Sequence, residues 1–325
     1  MNPAVSLLVP VFNRAELLGE CLDSALAQTM GDLEIVVVDG ASTDETWDVC
    51  LRYADADPRV RVFRDATNTG PVRGWWRCAE EARGTYATFL WSDDLIMPSF
   101  LERTLPYVSD DNVAFAYTSA EIGPTPGRGR IAYAIDAHMM PSHAFILGSL
   151  VTRGRYPVSP ACALFRLEDI RRNFVMELPT SPKVDLTATG AGVDVLLYLL
   201  AAFERPQVAH ISEPLAFFRA HAGSISVEGR GGQVALGYAL AKCWFARKYG
   251  RPDLVHTILA WHWLGQMRAS RRLVSPDAAA RQYRRLTSGS QLLVAALRIL
   301  GTLAHTRMPW KSRSDRPQPG GSTAR

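Results

Sequence analysis

The first 120 residues alternate between short apolar runs and amphipathic stretches, and this alternation constrains the fold more than any other feature of the chain. The runs at residues 5–9 and 33–38 are continuous and apolar, which is typical of strands buried on both faces of a parallel sheet. Between them, apolar residues recur from Leu18 to Leu26 at the spacing of one helix face. The same reasoning predicts strands at residues 60–63, 86–90 and 113–117 and a helix at residues 72–82. We therefore expect an α/β fold with a doubly wound, mostly parallel sheet.

Polar residues follow three of these strands directly, at the edge where such a sheet binds its ligands. Asn13 follows the first strand, Asp39 ends the second and Asp93 follows the fourth. Acidic groups at one edge repel one another, so a ligand that uses them is the better explanation. A carboxylate there can accept hydrogen bonds from a ribose or a nucleobase, and others can hold Mg²⁺ or Mn²⁺ against a diphosphate.

Two short stretches after strands also have a purely structural interpretation. Ser42 stands three residues before Glu45, which is a capping-box pattern and predicts that a helix begins there. Asp44 is then equally well explained as a first-turn acid favoured by the helix dipole. Asn68 and Gly70 are typical of a turn.

In their order and spacing, the motifs resemble those of the family 2 glycosyltransferases, which have a nucleotide-diphospho-sugar transferase fold of the GT-A type. The resemblance covers residues 5–98. The segments that carry it are Pro10-Val11-Phe12-Asn13, Asp39-Gly40-Ala41-Ser42-Thr43-Asp44, Asn68-Thr69-Gly70, Ala82-Arg83-Gly84-Thr85-Tyr86 and Ser92-Asp93-Asp94. Each segment is weak alone, and their order makes the set specific.

The resemblance implies a glycosyltransferase that moves a sugar, with inversion, from a nucleotide-diphosphate donor to a glycan or polyprenyl-linked acceptor in cell-surface polysaccharide biosynthesis. A UDP-sugar is the first expectation for the donor and Mg²⁺ or Mn²⁺ for the cofactor, with no nucleic acid as a partner. Asp39 would contact the base or ribose. The residues that the resemblance assigns to nucleotide-sugar binding are Pro10, Phe12, Asn13, Asp39, Ser42, Asn68, Gly70, Arg73, Ser92, Asp93 and Arg219. The metal ligands that it implies are Asp93, Asp94 and His221.

One position departs from the family pattern. Trp91 stands where the Asp-x-Asp motif has its first carboxylate, whereas Asp93 matches the last one, with Asp94 beside it. The loss of a carboxylate leaves the metal stoichiometry open. It also leaves a second interpretation of the chain, as a catalytically inactive partner of this fold in a glycan-assembly complex.

An inverting transferase needs a carboxylate that takes the proton from the acceptor hydroxyl. In the family this acid stands at the start of a helix behind the acceptor, and residues 190–197 fit, with Asp194 as their only acid. Asp194 is therefore the candidate base, and a helix-terminal acid without chemistry is the alternative. Residues 214–226 resemble the family segment near the diphosphate, which implies that Arg219 and His221 meet phosphate or metal. A purely structural histidine is the alternative for His221.

The last third of the chain is predicted to be helical, over residues 234–249 and 253–272 and again near Ala278 and Leu292. It is strongly basic, with arginines at positions 268, 271, 272, 281, 284, 285, 298 and 307. The last helix has an apolar face formed by Leu292, Leu293, Ala296, Leu297 and Leu300. A basic amphipathic helix can lie on an anionic membrane, where a polyprenyl-linked acceptor would be found, and a solvated basic face is the alternative.

These patterns predict a catalytic domain at residues 1–230, with a nucleotide-sugar-binding half at 1–120 and an acceptor-binding half at 121–230. A helical extension at 231–310 and a disordered tail at 311–325 would follow. The composition, with 47% hydrophobic and 21% charged residues, is typical of a chain that forms a core, and a net charge of +4 is too small to indicate nucleic-acid binding.

The cysteines are scattered without zinc-binding spacing, which predicts buried free thiols in a reducing compartment. No signal peptide or membrane-spanning run is apparent, so a cytoplasmic protein is expected, with peripheral contact to the inner face of the cell membrane as an option. A dinucleotide-dependent dehydrogenase would need a G-x-G-x-x-G motif after the first strand, and residues 10–14 carry no glycine. A sugar-phosphate nucleotidyltransferase would open with a glycine-rich basic loop, which this sequence lacks.

Overall fold

The structure of the chain is a computed structural model, which describes residues 2–152, 154–180, 184–221, 232–271, 274–283 and 286–306. The strands are β1 (Val5–Val11), β2 (Leu33–Asp39), β3 (Val60–Arg64), β4 (Tyr86–Phe89), β5 (Leu95–Ile96), β6 (Val113–Gly123), β7 (Arg130–Ala132), β8 (Met139–Pro141), β9 (Ala163–Arg166), β10 (Glu177–Leu178), β11 (Val184–Asp185) and β12 (Gln207–Arg219). The α-helices are α1 (Ala15–Leu26), α2 (Thr46–Ala56), α3 (Pro71–Glu81), α4 (Phe100–Val108), α5 (Ser142–Val151), α6 (Leu167–Arg172), α7 (Val193–Glu204), α8 (Gln233–Lys248), α9 (Val255–Ser270), α10 (Pro276–Gln282) and α11 (Gly289–Thr306).

The central sheet has the strand order β3-β2-β1-β4-β9-β6-β12-β5, with β7 beside β6 and β8 beside β12. β3, β2, β1 and β4 run parallel to one another, and β6 runs parallel to β12. The apolar side chains of β1 and β2 are buried, because helices cover both faces of this part of the sheet. The predicted α/β fold with a doubly wound, mostly parallel sheet is confirmed.

The sheet is mixed because β9 lies between β4 and β6 and is antiparallel to both. β5 is also antiparallel, and it pairs Leu95 and Ile96 with Phe217 and Ala216 of β12. This pairing places the end of β12 beside the turn that follows β4. Residues more than a hundred positions apart in the chain therefore meet at one edge of the sheet.

The capping box predicted at Ser42 and Glu45 is wrong. α2 begins at Thr46, and the backbone N–H of Thr46 donates to the Asp44 carboxylate at 3.0 Å. The Ser42 hydroxyl instead accepts a hydrogen bond from the backbone N–H of Asn13, 2.9 Å away in the neighbouring loop. The capping-box prediction failed because the serine oxygen bonds to a residue that is distant in the sequence.

Helices α8 to α11 form the described part of the C-terminal region, and α8 packs against α7. Their buried side chains, such as Leu240, Phe245 and Leu292, belong to the same apolar cluster as Leu8 and Phe89 of the sheet. The predicted boundary at residue 230 falls outside the described residues, as does the predicted tail at 311–325. All five cysteines are free and buried, as predicted. Among the described residues, no helix combines the length and the apolar character that crossing a membrane requires.

Candidate active site

The loops after β1 and β2 are joined by hydrogen bonds of Asn13. This residue has a left-handed backbone with φ of 50°. Its backbone N–H donates to the Ser42 hydroxyl, and its side-chain oxygen accepts from the backbone N–H of Thr43 at 2.9 Å. Asn13 and Ser42 are therefore brought together, although 29 positions separate them.

Asp39 is fully buried at the end of β2. Its carboxylate accepts a hydrogen bond from the Ser42 backbone N–H at 3.2 Å and forms an ion pair with Arg64, whose Nε lies 3.2 Å away. Arg64 also donates to the Ser42 carbonyl oxygen at 2.9 Å. This bridge holds the carboxylate and the turn after it in one geometry.

Sequence reasoning missed Arg64. The signal for it was its position, because Arg64 ends β3 and pairs in register with Asp39 of β2. A cation at the end of a parallel strand belongs to the same ligand-binding edge as the carboxylate of its neighbour.

Pro10, Phe12 and Arg73 lie around the same edge. Phe12 is 40% exposed beside Gly40, and a Cβ at Gly74 of α3 would lie 3.7 Å from the Pro10 Cβ, so α3 passes close to Pro10. Arg73 is exposed on the first turn of α3. Its charge helps to lower the pKa of Asp185, after the larger effect of hydrogen bonds from Thr187.

Asn68 and Gly70 form the turn before α3. The Asn68 side-chain oxygen accepts from the Gly70 backbone N–H at 2.8 Å, and Gly70 is the N-cap residue of the helix. The described contacts of Asn68 and Gly70 are those of a turn, so a role in nucleotide-sugar binding stays a prediction for both.

The turn after β4 meets the end of β12 and the start of α1. The Asp93 carboxylate lies 2.8 Å from His221 Nε2 and 4.0 Å from Arg14 Nε. Arg219 donates from Nε to the Asp93 carbonyl oxygen at 3.0 Å and from Nη2 to Glu20 at 2.6 Å. Asp93, Arg219 and His221, which the sequence placed in the site separately, are therefore neighbours.

Asp94 has a different environment from Asp93. It is buried, and its Oδ1 accepts a hydrogen bond from the Arg219 backbone N–H at 2.8 Å. Burial and the neighbouring Asp93 charge raise the pKa of Asp94 well above its usual value. Asp94 thus ties the end of β12 to the turn, and Ser92 is buried beside it.

A metal ion at this turn would depend on Asp93 and His221. Within the described ranges, no three His, Cys, Asp or Glu side chains come together to form a metal site. Mg²⁺, and by the same oxygen chemistry Mn²⁺, is commonly held by one or two carboxylates together with the phosphates of the substrate. The partly exposed Asp93 carboxylate fits that arrangement, with the His221 imidazole next to it.

An aromatic wall formed by Phe89, Trp91 and Trp75 stands beside this turn. The Trp91 ring stacks on Phe89 with centroids 5.5 Å apart and lies 4.6 Å from the Trp75 ring. Its indole N–H donates to the Ser159 hydroxyl at 2.8 Å. The residue that replaces the first carboxylate of the motif is therefore fixed by packing and by one hydrogen bond.

Asp194 stands at the start of α7, and its turn adjoins this wall. A Cβ at Gly190 would overlap the Trp75 ring, so the turn of residues 190–194 packs directly against the wall. Asp194 is 6% exposed, and its Oδ1 accepts from the backbone N–H groups of Gly192 at 2.9 Å and Val195 at 2.7 Å. Burial raises the pKa of Asp194 to about 7, although hydrogen bonds to the carboxylate oppose this shift.

Comparison with known proteins matches residues 6–174 to the model described as glycosyl transferase family 2. The chain is 42% identical over 93 residues to a PGL/p-HBAD biosynthesis glycosyltransferase of Mycobacterium tuberculosis, covering 28% of this chain and 36% of that protein. It is 31% identical over 110 residues to glycosyltransferase GlyG of Streptococcus pneumoniae, covering 34% of this chain and 36% of that one. The matches span about a third to a half of the length of such curated relatives.

Among solved structures, the chain is similar to S. aureus TarS 1-349 in complex with UDP-GlcNAc, with a TM-score of 0.57 and 16% identity. The similarity covers 93% of this chain and 92% of that one, and at this identity it supports the fold alone. The family model matches more than half of the 325 residues, and it includes the loops after β1, β2 and β4. On this ground the chain belongs to glycosyl transferase family 2.

Proposed function

We propose that this chain is a glycosyltransferase that moves a sugar from a nucleoside-diphosphate donor to a hydroxyl group of a glycan or polyprenyl-linked acceptor. The observation that carries the proposal is that Asp39 and the contacting pair Asp93 and Arg219 lie at the same edge of the sheet, where α/β folds bind their ligands. The relatives support it, because both curated relatives named above are glycosyltransferases, one of them a glycosyltransferase of PGL/p-HBAD biosynthesis.

The nucleotide would occupy the loops after β1 and β2. The Asp39 carboxylate, oriented by Arg64 and the Ser42 N–H, can accept a hydrogen bond from an N–H of the base or a hydroxyl of the ribose. Phe12 is 40% exposed and offers an apolar surface for the base. UDP is the first candidate for the nucleotide.

The diphosphate would lie at the turn after β4. Asp93 and His221 would hold Mg²⁺ or Mn²⁺, which neutralises the charge that develops on the departing nucleoside diphosphate. Arg219 holds the Asp93 backbone in place through its 3.0 Å hydrogen bond to the carbonyl oxygen. The positively charged Arg14, whose Nε lies 4.0 Å from the Asp93 carboxylate, favours the binding of an anionic ligand at this turn.

Asp194 is proposed as the general base. The acceptor oxygen attacks the anomeric carbon, the bond from that carbon to the phosphate oxygen breaks, and the nucleoside diphosphate leaves with the bonding electrons. The proton of the acceptor hydroxyl passes to the Asp194 carboxylate. A carboxyl with a pKa of about 7 is well matched to this task near neutral pH.

A thermal-shift panel of UDP, GDP, dTDP and CDP, each with and without Mn²⁺, tests the donor site. A nucleotide present at one hundred times its dissociation constant should stabilise the folded chain by about 2.7 kcal/mol. Asp93→Ala should lose the metal-dependent part of this shift. Asp57→Asn is the matched control, because its ion pair with Arg59 lies at the opposite end of β3, and it should respond as the wild type does.

If no nucleotide stabilises the wild type, the donor site is refuted and the inactive-partner interpretation gains. If nucleotides bind but no sugar donor is turned over, the inactive-partner interpretation also gains, since binding would then persist without catalysis.

We also propose that α11 touches an anionic membrane from the cytoplasmic side. One face of the helix is buried through Leu292, Ala295, Ala296 and Ile299. The outward face is apolar as well, with Leu293, Val294, Leu297 and Leu300 between 43% and 59% exposed, and the exposed Arg298 lies among them. An exposed apolar stripe with a cation suits an interface with anionic lipid. Of the other predicted cations, Arg272, Arg284, Arg285 and Arg307 lie outside the described residues.

Co-sedimentation with vesicles of phosphatidylglycerol and phosphatidylcholine at low salt tests this contact. The double variant Leu293→Ser, Leu297→Ser should lose most of the bound fraction. Leu51→Ser is the control, because Leu51 is 41% exposed on α2, far along the chain from α11. A wild type that stays in the supernatant at every lipid concentration would favour the solvated basic face instead.

A further inference from the structure

The candidate base is contacted by a helix from the C-terminal region. The Tyr238 hydroxyl on α8 donates to Asp194 Oδ2 at 2.6 Å. Both residues lie beyond residue 174, where the match to the family model ends. The contact is therefore a property of this chain's own C-terminal helices, and no motif of the family model contains it.

The two carboxylate oxygens of Asp194 have different numbers of partners. Oδ1 accepts two backbone N–H groups, from Gly192 and Val195, whereas Oδ2 accepts the Tyr238 hydroxyl. Each carboxylate oxygen has about two acceptor sites. Oδ1 is thus filled, and Oδ2 is the oxygen that has a site left for a proton.

The helix that carries Tyr238 packs closely on the turn that carries Asp194. A Cβ at Gly237 would overlap the Ala191 carbonyl oxygen, so α8 packs closely on the turn of residues 190–194. Burial and the Asp194 charge raise the pKa of Tyr238 well above its usual value, so the hydroxyl keeps its proton and acts as a donor.

We propose that Tyr238 is a positioning residue that holds Asp194 Oδ2 ready to receive the proton of the acceptor hydroxyl. This inference rests on the proposed function, since it assigns the proton to one atom of the proposed base. As the acceptor oxygen bonds to the anomeric carbon and the nucleoside diphosphate leaves, the released proton binds the open site of Oδ2. Tyr238 remains protonated throughout, and its hydrogen bond stabilises the carboxylate before the transfer.

The charged state of Asp194 connects this role to pH. Burial raises its pKa, and the Tyr238 hydrogen bond counteracts that effect. Tyr133, in the segment between β7 and β8, is a further titratable group that senses the Asp194 charge. Removing the Tyr238 hydroxyl takes away the largest of the hydrogen bonds that oppose burial, so the pKa of Asp194 should rise further.

Tyr238→Phe is the first test. Hydrolysis of the donor, with water as the acceptor, is measured from pH 5 to 10 as the release of nucleoside diphosphate. Mn²⁺ is present, and the donors are UDP-N-acetylglucosamine, UDP-glucose, GDP-mannose and dTDP-rhamnose. The acid limb of the kcat profile should move up by about 1 to 2 pH units, the effect of one hydrogen bond to a charged group. Activity at pH 6 should fall about 10- to 100-fold, and the two proteins should converge above pH 9.

Tyr283→Phe is the matched control. Its hydroxyl bonds to His262 at 2.9 Å in the same C-terminal region, and it is fully buried. It should leave the pH profile unchanged. A loss of activity in Tyr238→Phe that is equal at all pH values would overturn the positioning role, because a merely structural contact has that effect.

A second measurement does not depend on turnover. The pH dependence of the free energy of unfolding should differ between wild type and Tyr238→Phe, and this difference should vanish in the Asp194→Asn background. Its persistence there would overturn the inference even in an active enzyme. If Tyr238→Phe does not fold, 3-fluorotyrosine at position 238, a stronger donor, should move the acid limb to lower pH, and an unmoved limb contradicts the proposal. A wild type that turns over no donor refutes the proposed function itself, and this is known before any variant is made.

Discussion

Two regions of the molecule, the donor edge and the base turn, each hold a buried carboxylate in place, and the groups that hold it differ. We use donor edge for the loops after β1, β2 and β4, and base turn for residues 190–194. At the donor edge, Asp39 is held by the Ser42 N–H three residues away and by Arg64 of the next strand. At the base turn, Asp194 depends on Tyr238, 44 positions later on α8. Asp39 is thus held by its own turn and by the neighbouring parallel strand, whereas Asp194 is held by its own turn and by a helix that follows 44 positions later.

The largest expected effect separates the two regions by function. Asp194→Asn should reduce turnover about 10²- to 10⁴-fold, because the amide cannot take the acceptor proton, and should leave nucleotide binding unchanged. Donor turnover and thermal shift measure the two quantities. Glu204→Gln, at the other end of α7, is the control and should keep full activity. Equal turnover in Asp194→Asn and the wild type would remove the base turn from the catalytic site.

The pH dependence of stability tests the burial of the base turn. The folded pKa of Asp194, about 7, is above the unfolded value of about 3.9. Between these values the folded chain binds a proton that the unfolded chain does not, so unfolding releases it and stability falls as pH rises. In chemical denaturation, the free energy of unfolding of the wild type should fall by on the order of a few kcal/mol between pH 4 and 8 because of Asp194. Asp194→Asn should lack this fall. If the free energy of unfolding depends on pH in the same way in both proteins, the raised pKa of Asp194 is contradicted.

At the donor edge, Arg64→Gln should weaken nucleotide binding about 10-fold. The glutamine removes the charge that pairs with the buried Asp39 carboxylate, and one charge-assisted hydrogen bond has about this effect. Titration calorimetry with the nucleotide that the thermal-shift panel identifies gives the affinity. Arg59→Gln removes an ion pair at the opposite end of β3 and should bind as the wild type does. Unchanged affinity in Arg64→Gln would show that the Asp39 geometry does not need this bridge.

The smallest expected effect concerns the aromatic wall of Phe89, Trp91 and Trp75, against which the base turn packs. Ser159→Ala removes the hydrogen-bond partner of the Trp91 indole and should lower turnover only a few-fold, the effect of one neutral hydrogen bond of about 1 kcal/mol. Ser109→Ala, which loses a hydrogen bond at the exposed end of α4, is the control. A loss as large as that of Asp194→Asn would mean that Trp91 is more than a packed wall.

Prediction from sequence succeeded where the relevant contacts are short in range or repeated along the chain. The strands at the donor edge follow from continuous apolar runs, and the polar residues at their ends follow from the rule that parallel strands place their carboxyl ends together. The same reasoning failed at Ser42, whose hydroxyl bonds to Asn13 and does not cap α2. It also overlooked Arg64, because its role depends on the register of β3 against β2.

By itself, the sequence determined the α/β class, the mostly parallel sheet and the resemblance to family 2, because these depend on periodicity and on motifs that each lie within a few residues. Only the tertiary structure decided which distant groups meet. It paired Asp93 with His221 through the antiparallel contact of β5 with β12, and Asp194 with Tyr238 through the packing of α8 on α7. The physical reason is that the environment of a carboxylate is set by its neighbours in space, and the charge state of a buried acid depends on its burial and on donors that include residues far along the sequence.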